Sequence, residues 1–170
     1  MFLIGIGANL PGRDGEPPIA TARWAAARLD ALPGLQLRGL SRWYLTEPIP
    51  PSGQPPYVNA IAALASQTAT ASPNPARLLA WLHAIEARAG RVRGDRNAAR
   101  TLDLDIIAMG KAGSTIRTAP DPVLPHPRAH LRAFVLMPLL DVAPRWVHPV
   151  LRRSARDLLR ELPEQGISPF

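Results

Sequence analysis

Cysteine is missing from the sequence, and so is any long apolar run. None of the 170 residues is a cysteine, which excludes disulfide bonds and thiolate metal sites. No apolar run approaches the roughly 20 residues that a membrane-spanning helix needs. The opening stretch, "MFLIGIGANLPG", lacks the basic region of a signal peptide and is too short for one. It fits a first strand followed by a Gly-rich turn, and we expect a cytoplasmic protein without a membrane partner.

Lysine is almost absent as well, although the chain is basic. Lys111 is the only lysine among the 20 lysine and arginine residues, and the formal net charge is +7. The planar fork of arginine suits phosphates and carboxylates, so we expect an anionic partner: a nucleotide, a nucleic acid or an acidic surface. Hydrophobic residues make up 46% of the chain, which argues against disorder. The length suits a single domain over residues 1–170.

The hydrophobic pattern predicts an α+β fold. Alternating or continuous apolar stretches predict strands, and 3.6-residue periodicity with capping residues predicts helices. The predicted order is strand 2–8, helix 18–32, strand 35–46, strand 57–67, helix 75–89 and strand 101–108. This β-α-β-β-α-β order is that of the ferredoxin-like fold, an antiparallel sheet with helices packed on one face. Further predictions are a short edge strand at "STIRT" and C-terminal helices near 128–140 and 152–162, with loops at 47–56 and 91–99.

Two aspartates interrupt the apolar stretch "ARTLDLDIIAMG" at residues 99–110. A strand has a period of two, so Leu102, Leu104 and Ile106 would face a core. Asp103 and Asp105 would then share the other face, where like charges repel unless something positive lies between them. Either an arginine or a divalent cation would satisfy that requirement.

Five arginines precede this aspartate pair within thirteen residues: Arg88, Arg91, Arg93, Arg96 and Arg100. A solvated basic loop, with Arg100 paired to an aspartate, would explain either the arginine cluster or the aspartate pair alone. The two features together are more specific, because metal ions and arginines neutralise phosphate in transfer reactions. Oxygen ligands suit Mg²⁺, which takes one or two carboxylates together with phosphates and water. We therefore expect the carboxylates to hold metal and the arginines to hold a polyphosphate.

An aromatic and amide cluster forms a second candidate site. Tyr57 and Asn59 share one face of a predicted strand, and Phe134 follows Arg132 in "RAHLRAFVLMPL". Aromatic rings and an amide can hold a flat heterocycle by stacking and by hydrogen bonds to its edge. From these residues alone, ordinary core packing is the simpler interpretation.

Three other motifs are rejected. "GIGANL" has Leu10 where a dinucleotide-binding fingerprint needs its third glycine, and "GKAGST" has Ala112 after the lysine of a P-loop. His126 and His130 are four residues apart, but Pro127 occupies the glutamate position of a zinc-protease helix.

Seven segments together resemble one enzyme family, the 6-hydroxymethyl-7,8-dihydropterin pyrophosphokinases of folate biosynthesis. They occur in the family's order and spacing over residues 3–145: "IGIGANL", "YLTEPI", "PYVNAIAAL", "IEARAGRVR", "RTLDLDII", "LPHPRAHLRAFVLMPL" and "DVAP". The resemblance implies a ferredoxin-like core. It also implies transfer of pyrophosphate from MgATP to the hydroxymethyl group of the pterin, with release of AMP.

The resemblance also implies roles for individual residues. Asp103 and Asp105 would bind two Mg²⁺ ions that bridge the ATP phosphates, and with Arg91 and Arg100 they would form the catalytic group. The residues implied at the nucleotide are Glu86, Arg91, Arg93, Arg100, Ile106, His126 and Arg132. Those implied at the pterin are Thr46, Tyr57, Asn59 and Phe134, with Asn59 on the edge of the ring and the two aromatic side chains on its faces.

The chain departs from the family's pattern in the 91–99 loop, where Asn97-Ala98-Ala99 replace the usual Trp-Gly-Pro. A position near the nucleotide that is commonly glutamine is His83. The loops 47–56 and 91–99 would close over the substrates. Without the tryptophan, closure would depend on arginines meeting phosphate and would therefore be sensitive to salt.

Two rival classes stay open at this stage. Ferredoxin-like sheets also carry RNA-recognition surfaces, but the expected aromatic strand motif is missing and no aromatic residues interleave the arginines of 88–100. A regulatory domain that binds a small molecule without turnover would have no need for the aspartate pair. We expect a monomer that acts on small molecules, with ATP and the pterin as substrates and no nucleic-acid partner.

Overall fold

The computed structural model describes residues 1–68, 72–91 and 98–170. Most of the loop predicted at 91–99, including Arg93, Arg96 and Asn97, lies outside the described residues. The strands are β1 (Phe2–Ala8), β2 (Leu35–Leu40), β3 (Tyr44–Thr46), β4 (Tyr57–Ser66), β5 (Asp103–Met109) and β6 (Ile167–Pro169). The α-helices are α1 (Pro18–Asp30), α2 (Pro75–Arg88), α3 (Ala133–Val142) and α4 (Ala155–Glu161). No helix in these ranges has the length and apolar character needed to cross a membrane.

The strands form one antiparallel sheet in the order β5-β1-β4-β3-β6. Strand β3 pairs with the N-terminal part of β4, and β2 pairs with its C-terminal part. This confirms the predicted ferredoxin-like order, because the first and third predicted strands are neighbours at the centre. The register places Gly7 of β1 between Asn59 of β4 and Asp103 of β5. Two residues earlier on β1, Gly5 lies between Ile61 of β4 and Asp105 of β5. The sheet thus brings the two candidate sites side by side.

Helices α1 and α2 pack on one face of the sheet, as predicted. Asn74 caps α2 by accepting a hydrogen bond from the backbone N–H of Arg77 at 2.8 Å, and Pro75 occupies the first turn. The core on this face includes Leu102, Leu104 and Ile106, all at most 4% exposed. The alternation predicted for β5 is therefore confirmed, and both aspartates point to the other face.

That other face is covered only in part. Helices α3 and α4 pack against Leu3 of β1, Ile61 of β4 and Ile107 of β5, together with the buried Trp146. The rest of the face stays open beside Asp103 and Asp105 and becomes the wall of a pocket.

Four elements differ from the sequence predictions. The strand predicted at 35–46 is two strands, because the Ser41 hydroxyl accepts the N–H of Ile61 at 2.9 Å, where a backbone carbonyl would otherwise pair. "STIRT" contributes one isolated bridge, Arg117 to Leu124, in a stretch rich in prolines that lack an N–H. The helix predicted near 128–140 is a 3₁₀ turn at Ala129–Leu131 followed by α3. The edge strand β6 was not predicted.

Candidate active site

A cavity of about 400 Å³ lies on the open face of the sheet, between the loop after β3 and the start of α3. It gathers nine of the predicted site residues: Thr46, Tyr57, Asn59, Arg100, Asp103, Asp105, His126, Arg132 and Phe134. Glu86 and Arg91 lie behind this wall, at the end of α2, and are connected to it through Asp103.

Two further predicted residues are Ile106 and Arg93. Ile106 is 4% exposed and packs in the core on the opposite face of β5, so its side chain points away from the cavity. Its neighbour Ile107 lines the cavity instead. Arg93 lies outside the described residues.

The cavity floor is formed by Gly5 and Gly7 of β1. A side chain at Gly7 would bring its Cβ to 3.1 Å from Oδ1 of Asn59, closer than ordinary van der Waals contact. Glycine here leaves the space between Asn59 and Asp103 open. The motif "GIGANL" therefore supplies a smooth floor for a ligand, a role that the sequence prediction did not assign to it.

Asp103 is held by two arginines. Its Oδ1 forms ion pairs with Arg100 Nη1 at 2.6 Å and with Arg91 Nη1 at 2.8 Å. The burial of all three side chains is only partial, since each is between 20% and 25% exposed. At Asp103, therefore, arginines offset the charge repulsion between the two aspartates, as one of the two sequence hypotheses expected. This ion-paired carboxylate lies at the cavity.

Asp105 has a different environment. Among the described residues no arginine forms an ion pair with it, and the imidazole Nε2 of His126 lies 3.8 Å from Oδ2. Burial against the pocket wall and the nearby charge of Asp103 raise the pKa of the Asp105 carboxyl to about 6. The side chain nevertheless remains 42% exposed, toward the cavity. Asp105 thus presents a carboxylate that still needs a positive partner.

His126 acts as a neutral hydrogen-bond donor in this arrangement. Burial and the charges of Arg132 and Arg128 lower its pKa to about 4. Its Nδ1 accepts the backbone N–H of Arg128 at 3.2 Å, so in the neutral ring the proton resides on Nε2. That N–H faces Asp105 and the cavity, where it can donate to an anionic ligand.

Glu86 fixes the relation between α2, β5 and Arg91. It is 3% exposed, and its Oε1 accepts both the guanidinium of Arg91 and the backbone N–H of Leu104, the latter at 2.7 Å. Burial raises the pKa of Glu86 to about 7, although Arg91 and the Leu104 N–H oppose the shift. Glu86 therefore orients the arginine that holds Asp103, rather than lining the cavity itself.

The aromatic and amide residues occupy the other half of the cavity. Asn59 is 6% exposed, and its Nδ2 donates to the Thr46 hydroxyl at 2.7 Å, which fixes the orientation of the amide. Tyr57 donates through its hydroxyl to Gln54 Oε1 at 3.1 Å, and Phe134 lies under the guanidinium of Arg132 at 5.2 Å. These groups can stack on a flat ring and bond its edge.

Several residues at the site were missed by sequence reasoning. Arg128 and Gln54 line the cavity, and the buried Asn9 joins its two flanking loops. Asn9 Oδ1 accepts the backbone N–H of Arg100 at 2.8 Å, while its Nδ2 donates to the carbonyl of Pro55 at 3.1 Å. The only sequence signal for Asn9 was a polar residue directly after a buried strand.

The donor set fits Mg²⁺. Asp103 and Asp105 share one strand face beside a cavity that arginines also line. In the described ranges, no group of three or more acidic, histidine or cysteine side chains could surround a metal ion with protein ligands alone. Mg²⁺ usually takes one or two carboxylates and completes its shell with water and substrate phosphates. The exposed carboxylate of Asp105 suits that mode.

The sequence and the fold are similar to those of known proteins. The family model described as 7,8-dihydro-6-hydroxymethylpterin-pyrophosphokinase matches residues 3–144. A 2-amino-4-hydroxy-6-hydroxymethyldihydropteridine pyrophosphokinase of Pseudomonas aeruginosa is 37% identical over 164 residues, which cover 96% of this chain and 93% of the relative. The protein of the same name from Synechocystis is 32% identical over 172 residues, which cover 98% of this chain and 78% of the relative.

The solved structures support the fold. Wild-type HPPK-DHPS of Plasmodium falciparum with SDX-DHP matches with a TM-score of 0.66 at 12% identity, over 94% of this chain and 44% of that one. This chain thus spans less than half the length of that solved chain. The family match, the relatives and the fold agree: the chain belongs to the 7,8-dihydro-6-hydroxymethylpterin-pyrophosphokinase family.

Proposed function

We propose that the chain transfers pyrophosphate from ATP to the hydroxymethyl group of 6-hydroxymethyl-7,8-dihydropterin, giving AMP and the pterin diphosphate. One observation carries the proposal: the row Asn59, Gly7 and Asp103 crosses three adjacent strands on the floor of one cavity. A ring held by Asn59 would therefore lie beside phosphates held near Asp103, with no side chain at Gly7 between them. Residues 1–170 would act as a single domain.

The half with the carboxylates and arginines would hold the nucleotide. Asp103 and Asp105 would bind Mg²⁺, as two ions in the arrangement that the family resemblance implies, and the metal would neutralise phosphate charge. Arg100 and Arg132 line the cavity and would contact phosphate oxygens directly. His126 would donate its Nε2–H to a phosphate oxygen, and Arg91, held by Glu86, would keep Asp103 in place.

The half with the aromatic residues would hold the pterin. Tyr57 and Phe134 would contact the faces of the ring, and Asn59 would bond its polar edge with an amide oriented by Thr46. The hydroxymethyl oxygen would then attack the β-phosphorus in line as the bond to the α-phosphate oxygen breaks. The described residues include no obvious strong base for the hydroxyl proton, and transfer of this type depends mainly on positioning and charge neutralisation.

A single assay tests the function. The protein is incubated with the pterin alcohol, ATP and Mg²⁺, and the products are separated by chromatography. AMP and pterin diphosphate in equal amounts are expected. Formation of ADP, or binding of both ligands without turnover, would contradict the proposal. Salt-dependent RNA binding without turnover would favour the nucleic-acid module instead.

Asn59→Ala is expected to weaken pterin binding by about 1–3 kcal/mol, because the polar edge of the buried ring would lose its partner. ATP affinity should barely change, since Asn59 lies in the half away from the arginines. The measurement is titration calorimetry with each ligand. Asn74→Ala is the matched control: it removes the α2 cap outside the cavity and should lower stability without changing pterin affinity. Equal losses for pterin and ATP in Asn59→Ala would instead indicate a folding defect.

A further inference from the structure

The segment 165–170 connects two walls of the cavity that are far apart in the sequence. One wall is the end of β3 with Thr46 and Glu47, and the other is the start of α3 with Arg132 and Phe134. Neither the sequence prediction nor the family match, which ends at residue 144, gives this segment a role.

Backbone pairing holds the segment to the β3 wall. In the antiparallel pair β3-β6, Thr46 is opposite Ile167 and Tyr44 is opposite Pro169. The pairing extends one residue beyond the strands, because the Glu47 N–H donates to the carbonyl of Gly166 at 3.0 Å. A Cβ at Gly166 would come within 2.9 Å of Glu47 Cγ, so Gly166 also lies close against the Glu47 side chain. The segment therefore fixes the point where β3 passes into the cavity-lining loop.

The side chain of Gln165 holds the same segment to the α3 wall. Its Oε1 accepts the backbone N–H of Ala133 at 2.8 Å, and its Nε2 donates to the carbonyl of Leu131 at 3.1 Å. Helix α3 begins at Ala133, and its preceding residue, Arg132, makes no side-chain cap hydrogen bond. The first N–H groups of a helix lack partners within the helix, so Gln165 supplies a cap from a distant part of the chain.

We propose that Gln165 is a positioning residue for the pterin, acting through Phe134 and Thr46. Ala133 lies between Arg132 and Phe134, and the cap on its N–H sets where α3 starts and hence where the Phe134 ring stands. The next residue, Gly166, is bonded to Glu47, directly beside Thr46. One short segment thus sets the spacing between the ring-stacking wall and the wall that orients Asn59. This inference rests on the proposed function.

The test compares Gln165→Ala, Gln165→Glu and Gln67→Ala in the full chain. Gln165→Ala removes both bonds, and pterin affinity is expected to fall about 5- to 20-fold, the scale of one or two neutral hydrogen bonds. ATP affinity should fall less than pterin affinity, because Arg132 beside the cap is one of several residues that would contact phosphate. Gln165→Glu keeps an acceptor for the Ala133 N–H, where negative charge is favourable, so it should recover most of the pterin affinity.

Gln67→Ala is the matched control. Gln67 Nε2 also donates to a backbone carbonyl, that of Leu35 at 3.1 Å, but it follows the end of β4 that lies away from the cavity. It should lower stability without changing pterin affinity. The proposal is overturned if Gln165→Ala binds pterin within about twofold of the wild type, if its ATP affinity falls equally, or if Gln67→Ala loses as much pterin affinity.

Hydrogen exchange separates this proposal from the proposed function. In Gln165→Ala without ligand, amides near 133–135 and near 44–47 should both exchange faster, whereas a merely local cap would affect 133–135 alone. Faster exchange at both walls supports the link, and unchanged exchange at 44–47 overturns it. A wild-type protein that produces no AMP would contradict the proposed function, while the exchange result would still decide whether Gln165 joins the two walls.

Discussion

Asp105→Asn is expected to lower turnover at least about 100-fold. Rate losses of this size are typical when a group that neutralises transition-state charge is removed. Asparagine keeps the shape of the side chain but loses the carboxylate that faces the cavity and would hold Mg²⁺. The fold should survive or gain stability. Burial and the charge of Asp103 raise the pKa of Asp105 to about 6, so the ionised carboxylate is less favourable in the folded, metal-free protein than in the unfolded chain. Steady-state kinetics and thermal unfolding in the presence of a chelator measure the two effects.

Asp103→Asn provides an informative comparison. Asp103 binds both Arg91 and Arg100, so its replacement should lower turnover to a similar degree and also lower stability. Asp121→Asn, at an exposed loop position that does not line the cavity, should change neither. Turnover close to that of the wild type in both site variants at saturating Mg²⁺ would contradict the metal role of the pair.

Local periodicity was sufficient to predict the half of the site that lies on strands. Asp103 and Asp105 alternate with Leu102, Leu104 and Ile106, and burial of these three apolar side chains under α1 and α2 allows only one phase for such a pattern. The same reasoning placed Tyr57 and Asn59 together on β4. It was correct because burial of the apolar residues fixes the direction of the polar ones.

Contacts between distant polar side chains could not be predicted in this way. Asn9 bonds Arg100 across 91 positions, and Gln165 bonds Ala133 across 32, and neither pairing leaves a periodic trace in the sequence. The edge strand β6 is three residues long and contains a proline, so it carries almost no strand pattern. The arginine-dependent closure predicted from Asn97 lies outside the described residues and stays a prediction.

Glu86 is a buried polar residue whose hydrogen-bond partners could not be predicted from the sequence. Helix α2 buries Leu78, Leu82, Ile85 and Glu86 along one stripe, so its periodicity places a carboxylate in the core. The family resemblance implied a place at the nucleotide for this side chain. The structure shows that it bonds the Leu104 N–H and Arg91, one step behind the cavity.

Replacing Glu86 by alanine is therefore expected to destabilise the fold by about 2–4 kcal/mol, between the cost of one unsatisfied buried donor and that of a broken buried ion pair. The Leu104 N–H would lose its acceptor within the core, and Asp103 would be the remaining ion-pair partner of Arg91 among the described residues. Because Leu104 lies between the two aspartates, turnover should fall as well. Urea unfolding gives the stability change, and kinetics at saturating substrates give the second effect.

Glu86→Gln separates the roles of shape and charge. Glutamine retains an Oε1 acceptor for the Leu104 N–H and a similar volume, but it carries no charge. Since burial raises the pKa of Glu86 to about 7, the charged form is costly at this position, and the neutral amide should keep stability within about 1 kcal/mol of the wild type. Its turnover should nevertheless fall, because Arg91 loses the ion pair with Glu86 that orients it and so holds Asp103 less firmly. If glutamine destabilises the fold as much as alanine does, the charge of Glu86 is essential to the core, and its role as an acceptor for Leu104 is secondary.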